Sequence, residues 1–108
     1  MRRPESESDL SALDNVLVTR MDVLDSDSIQ RSIEEGSARF GRIDALVNNA
    51  ATLSPLAAVA DSEPADWRRH FDVNVLGPYY LMRMATPHLR RTAGRIVNVS
   101  SGAANRSL

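Results

Sequence analysis

A chain of 108 residues is long enough for one domain with one core, and 43% hydrophobic with 25% charged residues is an ordinary globular balance. A net charge of −1 with no long run of like charge argues against nucleic-acid binding by a basic surface. The absence of cysteine excludes disulfides, thiolate metal sites and a Cys nucleophile. No apolar run approaches the roughly 18 residues of a membrane span, so no membrane partner is expected. The polar start Met1-Arg2-Arg3-Pro4-Glu5 lacks the apolar segment of a secretory signal. These features fit a reducing compartment, and the expected location is cytoplasmic. All 13 basic side chains are Arg, so a mechanism that needs a lysine cannot be completed within this chain.

Residues 1–12 are polar and read as a mobile tail. Asn15-Val16-Leu17-Val18-Thr19-Arg20-Met21 reads as a strand covered on both faces, being β-branched and mostly apolar. Asp25 or Asp27 can cap the helix that follows, in which Ile29, Ile33 and Phe40 recur at helical spacing. Gly36 weakens that helix by up to ~1 kcal/mol against Ala. Gly41 can end it in the left-handed conformation. A second strand spans Ile43 to Val47. Residues 50–60 are small and apolar, in a loop or a short helical turn. Asp61 or Ser62 can cap the next helix, with Pro64 in its first turn. Trp67, Phe71, Val75, Tyr79 and Met82 repeat every three or four residues and are expected to form one buried face. Gly77-Pro78 should kink this long helix, and Pro87 should kink or end it. Gly94 is a stop, and Arg95-Ile96-Val97-Asn98-Val99 is a third strand. Ser100-Ser101-Gly102 leaves its carboxyl end.

Strands separated by helical crossovers imply parallel pairing and an α/β fold. In an open parallel sheet, ligands bind outside the carboxyl ends of the strands. The pair Asn48-Asn49 stands at such an end, where its amides can hold a loop or face a ligand.

Four stretches, in order along residues 16–102, carry a resemblance to the short-chain dehydrogenase/reductase family. Met21-Asp22-Val23 resembles the strand end whose Asp contacts the cofactor's adenine. Asp44 with Asn48-Asn49-Ala50-Ala51 resembles the Asn-Asn-Ala-Gly signature that steadies the sheet beside the cofactor, with Ala51 in place of the usual Gly. Phe71-Asp72-Val73-Asn74-Val75-Leu76-Gly77 resembles the helix segment that contributes the catalytic Asn, here Asn74. Arg95-Ile96-Val97-Asn98-Val99-Ser100-Ser101-Gly102 resembles the strand that ends at the catalytic Ser, here Ser101.

The resemblance implies an NAD(P)-dependent oxidoreductase that moves a hydride between nicotinamide and a small alcohol or carbonyl substrate. The implied cofactor-binding residues are Asp22, Val23, Asn48, Asn49, Ala50 and Ala51; the implied catalytic residues are Ser101 and Asn74. In the family's mechanism the Ser hydroxyl hydrogen-bonds the substrate oxygen, and an Asn backbone group helps hold a proton-relaying water. A Tyr lowered in pKa by a nearby Lys is the acid/base. Tyr79-x-x-x-Arg83 does not supply that pair, since it precedes the Ser and has Arg where Lys is required. No Gly-x-x-x-Gly-x-Gly phosphate loop occurs either. The expected architecture is therefore a partial Rossmann-type α/β fold over residues 13–108, lacking the first two strands and the C-terminal part. The alternative to a working oxidoreductase is a catalytically inactive fragment of one, a truncated gene product or an interaction remnant.

Against the order 3-2-1-4-5-6 of a doubly wound sheet, the three strands are the third, fourth and fifth. Either the first strand here packs directly on the second, or the edges stay open. Arg2-Arg3-Pro4-Glu5 resembles the segment where Arg commonly meets the 2′-phosphate of NADP, which favours NADP slightly over NAD. Family members often pair through the helix corresponding to residues 63–91, which implies a homo-oligomer in a full-length form. Taken singly, Ser101 would be a turn residue, Asn74 a bonded helix amide, Asp22 a strand-end residue and Asp44 a structural carboxylate. His70 and His88 stand apart with no partner at metal spacing, so no metal site is expected.

Overall fold

The computed structural model describes residues 8–101, and the expectations for Arg2, Arg3 and Gly102 lie outside them. Within the stretch read as a tail, Ser8–Ser11 forms a single turn, α1. Helix α2 spans Ser26–Phe40. Of the two candidate caps, Asp25 is the one used: its carboxylate accepts from the backbone N–H of Asp27 at 3.0 Å. Gly41, at φ 79°, ends the helix and donates its N–H to the Ser37 carbonyl.

Strand β1, Ala45–Asn48, pairs in parallel with β2, Arg95–Asn98. The register sets Leu46 beside Ile96 and Asn48 beside Asn98. Between them run a 3₁₀ turn at Val59–Asp61, helix α3 at Pro64–Phe71, a π-helical segment at Asp72–Leu76 and helix α4 at Gly77–Thr92. The α/β class and the parallel pairing expected from the alternation are what the chain adopts. The core is small: Ile29 and Ile33 of α2 meet Leu81, Ala85 and Leu89 of α4, with Met21, Val23, Ile43 and Leu46 packed around them.

Several expectations need correction. Asn15–Met21 is not a strand of the sheet, which has β1 and β2 alone among the described residues. Of the two alternatives, the open edge is realised: a ladder needs a partner, and this segment instead lies on α2. Thr19 Oγ1 donates to Glu35 at 2.8 Å, and Ser32 Oγ donates to the Arg20 carbonyl at 3.3 Å. Neither Asp61 nor Ser62 caps α3; its N-cap is Glu63, without a side-chain bond. Ser62 is occupied elsewhere, its hydroxyl accepting from Trp67 Nε1 at 2.8 Å and donating to the Val59 carbonyl at 2.7 Å.

Trp67, Phe71, Val75 and Tyr79 are about half exposed, so the buried face is a different one: Gly77, Leu81, Ala85 and Leu89. Two residues are about 200° of helical turn. A stripe through Val75 and Tyr79 therefore points away from one through Gly77 and Leu81. Pro87 does not end helix α4, which runs on to Thr92 with Ala85 and Leu89 on either side held in the core.

Candidate functional site at the carboxyl ends of the strands

Parallel pairing brings the carboxyl ends of β1 and β2 to one edge. Asn49, Ala50, Ala51 and Thr52 leave β1 there, and Ser100 and Ser101 leave β2. Asn49, Ala50, Ala51 and Ser101 are exposed, while Asn48 is buried at 7% relative exposure. The Asn48 amide nitrogen donates to Asn98 Oδ1 at 2.8 Å, and Val99 N–H donates to the Asn48 carbonyl at 2.9 Å.

Asn74 reaches this edge from the helical wall. Its Oδ1 accepts from Thr52 N–H at 2.8 Å and its Nδ2 donates to the Thr52 carbonyl at 2.9 Å. Such a two-point clamp imitates a strand neighbour and satisfies both backbone groups of an irregular loop. Asn74 sits in the π segment, where Gly77 N–H reaches back to the Asp72 carbonyl. The ordinary α-helical partner of the Asn74 carbonyl would be the N–H of residue 78, and Pro78 has none. The side chain is thus committed to the loop and the carbonyl lacks its usual donor, a local irregularity common at functional positions.

Asp22 and Val23 lie on the segment that enters α2. The Asp22 carboxylate accepts from Leu24 N–H at 2.9 Å, and buried Ser28 Oγ bridges the Asp22 and Asp25 carbonyls at 2.9 Å each. Val23 lies against Gly77, where an added Cβ would stand 3.0 Å from the Val23 Cβ. That close approach packs Val23 on the first residue of α4, next to the π segment. A cleft of about 500 Å³ beside Asp22 is lined by Val18, Thr19, Met21, Asp25, Arg31 and Glu35.

Asp44 lies at the amino end of β1, where it hydrogen-bonds Arg42 at 2.7 Å and holds that guanidinium pKa above its usual value. The ring of His70 meets the Ser54 carbonyl, and that of His88 meets Arg91. Among the described residues no group of three His, Cys, Asp or Glu side chains could hold a metal ion, and no helix is long and apolar enough to cross a membrane.

The sequence reading takes Pro78 only as a kink and Asn98 only as part of a strand, and gives Thr52 no role. A signal for Asn98 existed: Leu46-Val47-Asn48 and Ile96-Val97-Asn98 repeat one pattern of two apolar residues and an amide. No local signal marks Thr52, whose partner is 22 positions away.

The sequence profile described as short chain dehydrogenase matches residues 4–108. An uncharacterised oxidoreductase of Schizosaccharomyces pombe is 40% identical over 104 residues, covering 94% of this chain and 43% of that protein. Among solved structures, a short-chain dehydrogenase/reductase from Saccharomyces cerevisiae superposes with a TM-score of 0.88 at 26% identity, covering 99% of this chain and 42% of the other. The structure of ElxO with NADP bound gives 0.83 at 27% identity, over 96% and 43%. The chain thus spans less than half the length of these proteins. Their likeness extends over nearly all of what is present, the Asn-Asn stretch, the π segment and the Ser-bearing strand included, and on that ground the chain belongs to the short-chain dehydrogenase family, with a partial Rossmann-type fold.

Proposed function

We propose that this chain forms part of the active site of an NAD(P)-dependent oxidoreductase that transfers hydride between nicotinamide and a small alcohol or carbonyl compound. Ser101 hydrogen-bonds the substrate oxygen. Asn74 offers its backbone carbonyl to a relay water, and Asp22, Val23 and Asn48 to Ala51 line the cofactor. The observation that carries the reading is the pair of hydrogen bonds between the Asn74 side-chain amide and the Thr52 backbone. It holds the Asn-Asn loop with the side chain, while Pro78 denies the Asn74 carbonyl its α-helical donor. ElxO, which is similar in fold, has NADP bound, and this supports NADP as the first cofactor to test.

A second reading, a non-catalytic module, is favoured by one fact: the chain contains no lysine to tune a Tyr acid/base. Titration with NADPH separates the two. Binding is followed by cofactor fluorescence and by quenching of Trp67, the single tryptophan. Saturable binding, weakened on Asp22→Ala, supports a cofactor site; no saturable signal with either NADPH or NADH leaves the non-catalytic reading.

A further inference from the structure

The Asn48–Asn98 bond plays no part in the proposed chemistry, yet it joins the two strands that carry it. Each strand has four residues and the described sheet has two strands, a size at which the backbone ladder alone is marginal. Directly below the amide pair the same face carries Leu46 beside Ile96. A slip by one residue would turn every side chain to the wrong face. A slip by two keeps the faces but sets an amide against Ile96 or Leu46, and the buried Asn48 then loses its bond. Asn48 is already half satisfied: its Oδ1 is enclosed with no partner among the described residues, and Nδ2 to Asn98 is its side-chain bond. Leaving the buried Asn48 unpaired is the costly outcome, so its one side-chain bond, to Asn98 on the more open strand, can select one register.

That register matters at the site. Ser101 follows Asn98 by three residues, and Thr52 follows Asn48 by four. Thr52 is in turn clamped by Asn74 at 2.8 and 2.9 Å. One connected path therefore runs from Ser101 through Asn98 and Asn48 to the loop and Asn74.

We propose that Asn98 is a positioning residue: by accepting from Asn48 it fixes where Ser101 stands relative to the Asn49–Thr52 loop and Asn74. Its meaning for catalysis rests on the proposed roles of Ser101 and Asn74. The bond itself does not, so the experiment reads the backbone rather than turnover, and the two readings can fail separately. Asn98 contributes an acceptor, so Asn98→Asp preserves the bond and Asn98→Leu removes it at similar size. The test is the amide spectrum of the ¹⁵N-labelled chain. With N98L the signals of Ser101 and of residues 49–52 are expected to shift and to exchange with solvent faster, while Leu81 and Ala85 in the core stay in place. With N98D all of them are expected to hold the parent positions, and the Asn48 side-chain NH₂ pair to remain protected. Loss of a dispersed spectrum in N98L alone also supports the lock, because the acceptor is then what decides folding. Unchanged Ser101 and loop signals in N98L, or equal disturbance in both variants, would overturn it.

Discussion

Gly94 shows what one missing side chain permits. The α4–β2 turn lies directly on the start of β1: Arg95 N–H donates to the Asp44 carbonyl at 3.0 Å, and Thr92 Oγ1 donates to the Ile43 carbonyl at 2.7 Å. A Cβ at Gly94 would stand 2.6 Å from the Asp44 oxygen and 2.7 Å from Leu89 Cδ2. The backbone oxygen, just ahead of β1, is held by Arg95 N–H and cannot swing aside, so Gly94→Ala is expected to cost about 1–3 kcal/mol, the usual range for overpacking. The urea midpoint measures it; an unchanged midpoint would mean that the turn relaxes freely. The sequence marked Gly94 as a helix stop but not as a close approach, since Asp44 is 50 positions away. Gly41 was legible in full, because a left-handed C′ residue is a local requirement. The same division holds at the site. Asn48 and Asn74 stood out in their own motifs, whereas Thr52 and Asn98 acquire a role only from partners distant in the chain.

At the scale of the element, the π segment sets the geometry of the long helical wall. Its widened turn and Pro78 together deprive the Asn74 carbonyl of an α-helical donor. Pro78→Ala supplies one. The segment is expected to close to ordinary α-helix, seen by hydrogen exchange as a protected amide at residue 78, and any NADPH-dependent turnover of a Ser101-competent enzyme containing this segment should fall. An amide at residue 78 that exchanges as fast as an exposed one would show that the π turn is held by packing of Gly77 on Val23 instead. The helices themselves were legible from period and caps, but the buried face was not. Two apolar stripes, Trp67–Phe71–Val75–Tyr79 and Gly77–Leu81–Ala85–Leu89, both step by four residues. Periodicity cannot tell which of them meets the core. The strand read at Asn15–Met21 failed for a related reason: its β-branched pattern is real, but a strand exists only beside a partner.

Among the described residues, five hydrophobic side chains are buried while Trp67, Phe71, Val75, Tyr79, Val47 and Val97 are among the large ones left exposed. So small a core leaves little margin over the conformational entropy of folding. The exposed stripe on α3 and the π segment lies along the helix through which the family resemblance implies pairing. A contiguous apolar stripe of this kind is stabilised by covering it, and a second copy offers the same surface. If pairing covers it, folding is linked to protein concentration, with up to about 2.7 kcal/mol gained at a hundredfold excess over the dissociation constant. The urea midpoint should therefore rise with concentration in the parent chain. Phe71→Glu places a charge in the stripe at a position 56% exposed. It should leave the dilute midpoint unchanged and abolish the dependence. Trp67 reports the same event independently, because covering its indole shifts the emission to shorter wavelength in the parent and not in the variant. A midpoint constant over a hundredfold range of concentration would rule out self-pairing through this stripe. The half-exposed aromatics would then be left for a different chain to cover.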